Sequence, residues 1–115
     1  MIRDLLKKDE GKTLEFKENS RSKTKIIRTI VAFANTAGGT LIIGVRDKTK
    51  EIIGVSDALL EEEKISNMIA DCIKPALIPD IKVKIFRQKE RFSSLEKQGL
   101  IFSRMRLFDV PGSVV

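Results

Sequence analysis

The sequence contains no histidine, no tryptophan and no tyrosine, and it has a single cysteine, Cys72. Without histidine, neither a Ser-His-Asp triad nor a histidine metal site can form. One cysteine excludes an internal disulfide and a cysteine-cluster zinc site. Cys72 lies on the apolar stripe of a predicted helix, so we expect a small buried side chain there and no nucleophile. Stacking on nucleobases would depend on the six phenylalanines or on arginine planes.

Long hydrophobic runs are also absent. No apolar run approaches the ~18 residues that a membrane span requires. The N-terminal stretch MIRDLLKKDEGK has charges inside its only apolar segment, so no signal peptide is predicted. With 115 residues and 42% hydrophobic side chains, the chain fits one globular domain. We therefore expect a cytoplasmic protein that has no membrane partner.

Positive charge is in excess and unevenly distributed. The net charge is +6, and residues 1–60 hold 12 Lys and Arg against 8 Asp and Glu. The densest basic cluster contains Arg21, Lys23, Lys25 and Arg28, at the start of a helical pattern. One interpretation is a solvated helix face, and the other is a surface that contacts phosphates. Composition leaves both open.

Hydrophobic periodicity alternates between strand and helix over the first 87 residues. Period-two or continuous apolar segments predict strands over 13–18, 40–45, 51–55 and 81–87. Apolar stripes at helical spacing predict helices over 23–36 and from Ser56 or Asp57 to about residue 73. The resulting β-α-β-β-α-β order predicts an α/β sandwich in which two helices pack on a small, mostly antiparallel sheet.

Three segments resemble the Schlafen AlbA_2 family, which is also called the divergent AAA-4 family. They are LEFK at 14–17, AFANTAGGTLIIGVRD at 32–47 and IGV at 53–55. The resemblance covers residues 4–87. It implies a small α/β domain that binds nucleic acid, usually DNA, in proteins of the transcriptional-regulator type. Some animal Schlafens are metal-dependent endoribonucleases, so the resemblance also implies that alternative.

The resemblance assigns the three catalytic carboxylates of those nucleases to Glu10, Glu15 and Asp47. Carboxylates that converge from neighbouring strand ends can hold Mg²⁺ or Mn²⁺, which would polarise a phosphate. A simpler interpretation is that Glu15 pairs with a nearby cation such as Lys17 or Arg46. Asp47 would then only begin a β-turn, where aspartate is common.

The basic cluster supplies the predicted phosphate contacts. These are Lys17, Arg21, Lys23, Lys25 and Arg28. Such contacts give strong salt dependence and little sequence readout, so they do not distinguish DNA from RNA. A second candidate surface comprises Lys82, Lys84 and Arg87, which we expect on the outer face of one strand.

The segment Gly38-Gly39-Thr40 has the composition of a phosphate-binding loop but not its context. The glycines follow a predicted helix and precede a strand, and no Gly-Lys-Ser or Gly-Lys-Thr is present. We therefore interpret them as a helix C-cap and tight turn, and we predict no ATP site.

The family pattern is lost after Phe86, so the domain is expected to end at residue 87. Residues 88–115 are interpreted as a divergent tail that a frameshift or a truncation of a longer protein would produce. The tail is expected to add an edge strand, over 100–102 or 106–110, or to stay unfolded. Missing sheet strands would expose apolar area and favour a homo-oligomer. A protein-interaction fragment, or one without function, is a third alternative.

Overall fold

The computed structural model describes residues 2–8, 13–35, 38–72, 78–89 and 95–108, which contain three helices and four strands. The helices are α1 (Ile2–Leu6), α2 (Lys23–Ala34) and α3 (Ala58–Cys72). The strands are β1 (Leu14–Lys17), β2 (Thr40–Ile43), β3 (Ile78–Lys89) and β4 (Glu96–Phe108). None of the helices in these ranges is long and apolar enough to cross a membrane.

The four strands form one mixed sheet in the order β1-β2-β4-β3. Strands β1 and β2 are parallel and are connected through α2, as parallel neighbours require a crossover. Strand β4 pairs antiparallel with both β2 and β3. The predicted α/β class is confirmed, and two of the three strand pairings are antiparallel.

Strand β2 is central, and its side chains are buried on both faces of the sheet. Leu41, Ile42 and Ile43 are all 0% exposed. Leu41 and Ile43 face α2 and α3 in the larger core cluster, whose other buried members are Ile26, Ile30, Phe33, Ala58, Ile65, Ile69, Leu100 and Phe102. Ile42 faces the opposite side, in a smaller cluster with Ile2, Leu14, Phe16, Val45, Phe86 and Ile101. The continuous apolar run therefore corresponds to a strand that is covered on both sides.

The predicted hairpin strand over 51–55 is replaced by two isolated bridges. Gly44 has a φ of 104°, a positive value that glycine adopts more easily than other residues, and β2 ends directly before it, at Ile43. Residues 51–55 then form a single β-bridge with the predicted partner strand over 40–45, between Val45 and Ile52. Val55 bridges instead to Gln98 of β4. The prediction of a regular strand over 51–55 was therefore wrong.

Strand β4 does not lie at an edge, contrary to the expectation for residues 100–102. It occupies the position between β2 and β3, with Leu100 and Phe102 buried against α2 and α3. The predicted strand over 106–110 falls partly within β4, and residues 109–115 lie outside the described part of the chain. Helix α1 was not predicted, and its Ile2 enters the smaller core cluster.

The two glycines, Gly38 and Gly39, lie just after the end of α2, and the structure shows a role for each. The Gly38 N–H donates to the Phe33 carbonyl oxygen at 3.1 Å, which satisfies a carbonyl at the end of the helix. A Cβ atom at position 39 would lie 2.5 Å from the Phe33 ring. Thr36 and Ala37 lie outside the described residues.

The position of β4 gives a prediction for Gly99→Ala. A Cβ atom at this site would collide with the Ile43 carbonyl oxygen and the Phe86 ring. We expect the substitution to lower the free energy of unfolding by about 1–3 kcal/mol, as overpacking of a core does. Thermal unfolding followed by far-UV circular dichroism measures this loss.

The control for that substitution is Ser66→Ala, at an exposed position of α3. It should leave the unfolding temperature nearly unchanged. If Gly99→Ala has as small an effect as the control, residue 99 does not lie between β2 and β3.

Candidate nucleic-acid interface

Four basic side chains surround the first turns of α2. Arg21, Lys23, Lys25 and Arg28 are all exposed, and none of them forms an ion pair with a residue that the structure describes. We call these four residues the α2 basic surface. Its charge is available to an external anion.

The helix itself adds to this positive potential. Ser22 is the N-cap residue, but its side chain makes no capping hydrogen bond, and the first turn contains no acidic residue. The N-terminal N–H groups and the helix dipole thus lack the negative partner that many helices carry. Four cations at a positive helix end repel one another, so binding of an anion would be stabilising.

Lys17 is predicted as a fifth phosphate contact, but the structure places it in an ion pair. Its Nζ lies 3.0 Å from Glu15 Oε1, and the two side chains are 24% and 31% exposed. The other oxygen of Glu15 accepts a hydrogen bond from Thr29 Oγ1 at 2.6 Å. Glu15 therefore pairs with Lys17, as the simpler interpretation expects, and its hydrogen bond with Thr29 also ties β1 to α2.

Only two of the three predicted metal-binding carboxylates, Glu15 and Asp47, lie in the described part of the chain. Asp47 is exposed in the turn after β2, and Glu10 lies outside the described residues. Both Glu15 oxygens already have protein partners. Among the described residues, no three Asp, Glu, Cys or His side chains are close enough to hold a metal ion. The Glu10, Glu15 and Asp47 set for Mg²⁺ or Mn²⁺ stays a prediction.

Arg46 links the end of β1 to the segment after β2. Its guanidinium lies 3.0 Å from Glu18 Oε1 and 3.3 Å from Glu51 Oε2. These pairs are exposed, so each contributes little to stability. The two ion pairs hold the loop after β1 close to the segment that follows residue 50.

A polar groove of about 750 Å³ opens next to the α2 basic surface. It lies between the β1–α2 loop, the segment 53–56 and α3, and Arg21 lies on its rim. No local sequence motif predicts this groove, because it is formed by three segments that lie far apart in the sequence. Its other lining residues include Ser20, Ile53, Val55, Glu61, Lys64 and Met68.

The second predicted basic surface is divided between the two faces of the sheet. Lys82 and Lys84 line a shallow groove beside Asp4 and Leu5 of α1. Arg87 lies on the opposite face, opposite Gln98 in the register. Side chains alternate along a strand, so an odd-numbered residue cannot share a face with residues 82 and 84. The prediction that all three share one outer face was wrong.

The fold and this surface describe a small α/β domain with a basic helix start. The family model of Schlafen, AlbA_2 matches residues 10–106, so the chain belongs to the Schlafen AlbA_2 family. The resemblance seen in the LEFK and AFANTAGGTLIIGVRD segments is thereby confirmed, and the match continues beyond residue 87.

One similar curated protein is an uncharacterized ATP-binding protein, UU034, of Ureaplasma parvum. The two are 28% identical over 90 residues, which make up 74% of this chain and 25% of that protein. The chain thus spans about a quarter of the length of this relative.

The Glu15–Thr29 hydrogen bond gives a second prediction. Thr29 is only 8% exposed, so Thr29→Val keeps the shape but removes the donor from a half-buried carboxylate. We expect the free energy of unfolding to fall by about 1 kcal/mol, measured by urea denaturation. Thr24→Val, at an exposed site of the same helix, is the matched control. Equal losses in the two variants would show that the bond contributes nothing.

Proposed function

We propose that this domain binds nucleic acid through the α2 basic surface. The observation that carries the proposal is the arrangement of four exposed cations, without acidic partners in the described chain, around an uncapped helix start. Phosphate groups are the anions that such an end receives best, because helix N–H groups and side-chain cations act on them together. The family membership supports the same class of ligand.

The contacts proposed here are with the sugar-phosphate backbone. Lys23, Lys25 and Arg28 can neutralise phosphates, but phosphate contacts carry no sequence information by themselves. Affinity should therefore fall steeply as salt rises, because each neutralised phosphate releases counterions. A regulator of the DNA-binding type would need its sequence preference from a second feature of the molecule.

Nucleotide binding of the kind named for the Ureaplasma relative is not the function that we propose. The Gly38-Gly39 segment of this chain lies at the end of α2, where the Gly38 N–H donates to the Phe33 carbonyl oxygen and residue 39 packs on the Phe33 ring. The proposed ligand is a polynucleotide at the other end of that helix.

The double substitution Lys23→Gln and Lys25→Gln tests the surface. Each phosphate contact to a single strand contributes about 0.7 to the slope of log affinity against log salt, so losing two should reduce that slope by about 1.4. Affinity at low salt should fall as well. Fluorescence anisotropy with a labelled 12-nucleotide strand across a salt series measures both quantities.

The matched control is Lys7→Gln and Lys8→Gln, which removes the same charge from exposed residues at the end of α1. It should change the slope much less, because α1 and α2 pack on opposite faces of the sheet. Equal reductions in both double variants would show that only net charge matters. No salt-dependent binding by the unsubstituted protein would overturn the proposed function.

A further inference from the structure

The groove beside the α2 basic surface has the dimensions of a small-molecule site. Its volume of about 750 Å³ lies within the usual range for ligand pockets. Ile53, Val55 and Met68 supply an apolar strip, and Val55 and Met68 also pack against the larger core cluster. The face of a flat heterocyclic ring could lie against this strip.

One polar group in the groove is well placed to read such a ring. The Glu61 side chain is only 17% exposed, and its Oε1 lies 4.0 Å from Lys64 Nζ. Its Oε2 accepts a hydrogen bond from the Ser20 hydroxyl. A carboxylate accepts hydrogen bonds and donates none, so it favours a ligand with N–H donors.

The walls of the groove are held by backbone hydrogen bonds. Val55 N–H donates to the Gln98 carbonyl oxygen at 2.8 Å, and Gly54 N–H donates to that of Gly44 at 2.8 Å. On the other wall, Arg21 N–H donates to Asn19 Oδ1 at 2.9 Å. The shape therefore exists before a ligand binds, which reduces the entropy lost on binding.

The groove shares Arg21 with the α2 basic surface but differs from it in its balance of charge. The groove contains both acidic side chains, Glu18 and Glu61, and the cations Arg21 and Lys64, so it offers a phosphate no excess of positive charge. The exposed cations Lys23, Lys25 and Arg28 lie on the helix that begins at its rim. Phosphates thus suit the helix, and a neutral ring with N–H donors suits the groove.

We propose that the groove receives one unpaired nucleobase of a strand whose phosphates lie on the α2 basic surface, with the exocyclic amino group of the base donating to Glu61. This inference rests on the proposed function and specifies its substrate as a single-stranded or locally unpaired segment. A base inside a duplex cannot enter, because its edge is paired and its faces are stacked. Cytosine, adenine and guanine have exocyclic amino groups, whereas uracil has none.

The experiment compares the strands rC12 and rU12, whose rings are equal in size and differ at positions 3 and 4. Cytosine has an acceptor nitrogen and an amino group there, whereas uracil has an N–H that lies between two carbonyl oxygens, and these oxygens repel a carboxylate. We expect the unsubstituted protein to bind rC12 about tenfold more tightly than rU12, which is the effect of about 1.4 kcal/mol. The DNA strands dC12 and dU12, measured in the same way, show whether the sugar matters. A duplex with the same number of phosphates per strand should bind more weakly than rC12.

Glu61→Gln tests whether the carboxylate recognises the base, because glutamine has a similar shape but its amide can also donate a hydrogen bond. We expect the rC12 to rU12 ratio to fall to about twofold, with the salt slope unchanged because the phosphate contacts remain. Glu63→Gln, an exposed position on the same helix, is the matched control and should keep the ratio near tenfold. Circular dichroism melting verifies that both variants fold.

Ser56→Phe provides a second variant that blocks the groove without touching Glu61. Ser56 is exposed on the groove wall, and it holds Gln98 Nε2 through its carbonyl oxygen, which the substitution retains. We expect the preference for rC12 to disappear while binding to both strands remains salt-dependent.

The outcomes separate this inference from the proposed function. Equal binding of rC12 and rU12, or an unchanged ratio in both Glu61→Gln and Ser56→Phe, overturns the groove as a base site while leaving phosphate binding intact. Loss of all salt-dependent binding overturns the proposed function as well.

Discussion

The complete enclosure of strand β2 is the constraint on which the rest of the structure depends. Three of its four residues, Leu41, Ile42 and Ile43, are fully buried, so both faces need cover and both edges need partners. Strand β1 pairs with one edge and β4 with the other. Helices α2 and α3 cover one face, and the shorter α1 contributes to the other. Removing β4 would expose the edge of the most apolar strand.

The candidate interface follows from the same arrangement. Because β1 and β2 are parallel, α2 must cross over the sheet between them, and its first turn lies just beyond the end of β1. Glu15 of β1 fastens the helix through Thr29, while Lys17 neutralises that carboxylate. The cations before and within the first turns are then left exposed. The groove lies beside them because the chain leaves β2 at Gly44 and returns past the β1–α2 loop to α3.

The sequence allowed much of this fold to be predicted, since β1, α2, β2 and α3 each have a clear period in their apolar residues. It did not reveal the place of β4, because the Phe, Ser and Arg residues after Phe86 are scattered without a hydrophobic period, although the family match extends to residue 106. The pairing register between β2 and β4 places Leu100 and Phe102 on the face of the sheet that α2 and α3 cover. For the site, Arg21, Lys23, Lys25 and Arg28 are exposed, and their role as phosphate contacts stays a prediction. The Glu61 groove could not be predicted, because it depends on contacts between distant segments.

We propose that phosphates of a polynucleotide lie on the start of α2. An amide ¹H–¹⁵N correlation spectrum, recorded while a 12-nucleotide strand is added at low salt, locates the contact residue by residue. We expect shifts concentrated in residues 20–28 and along the groove, with the amides of α1 unchanged. Shifts concentrated around Lys82 and Lys84, with residues 20–28 unaffected, would contradict it.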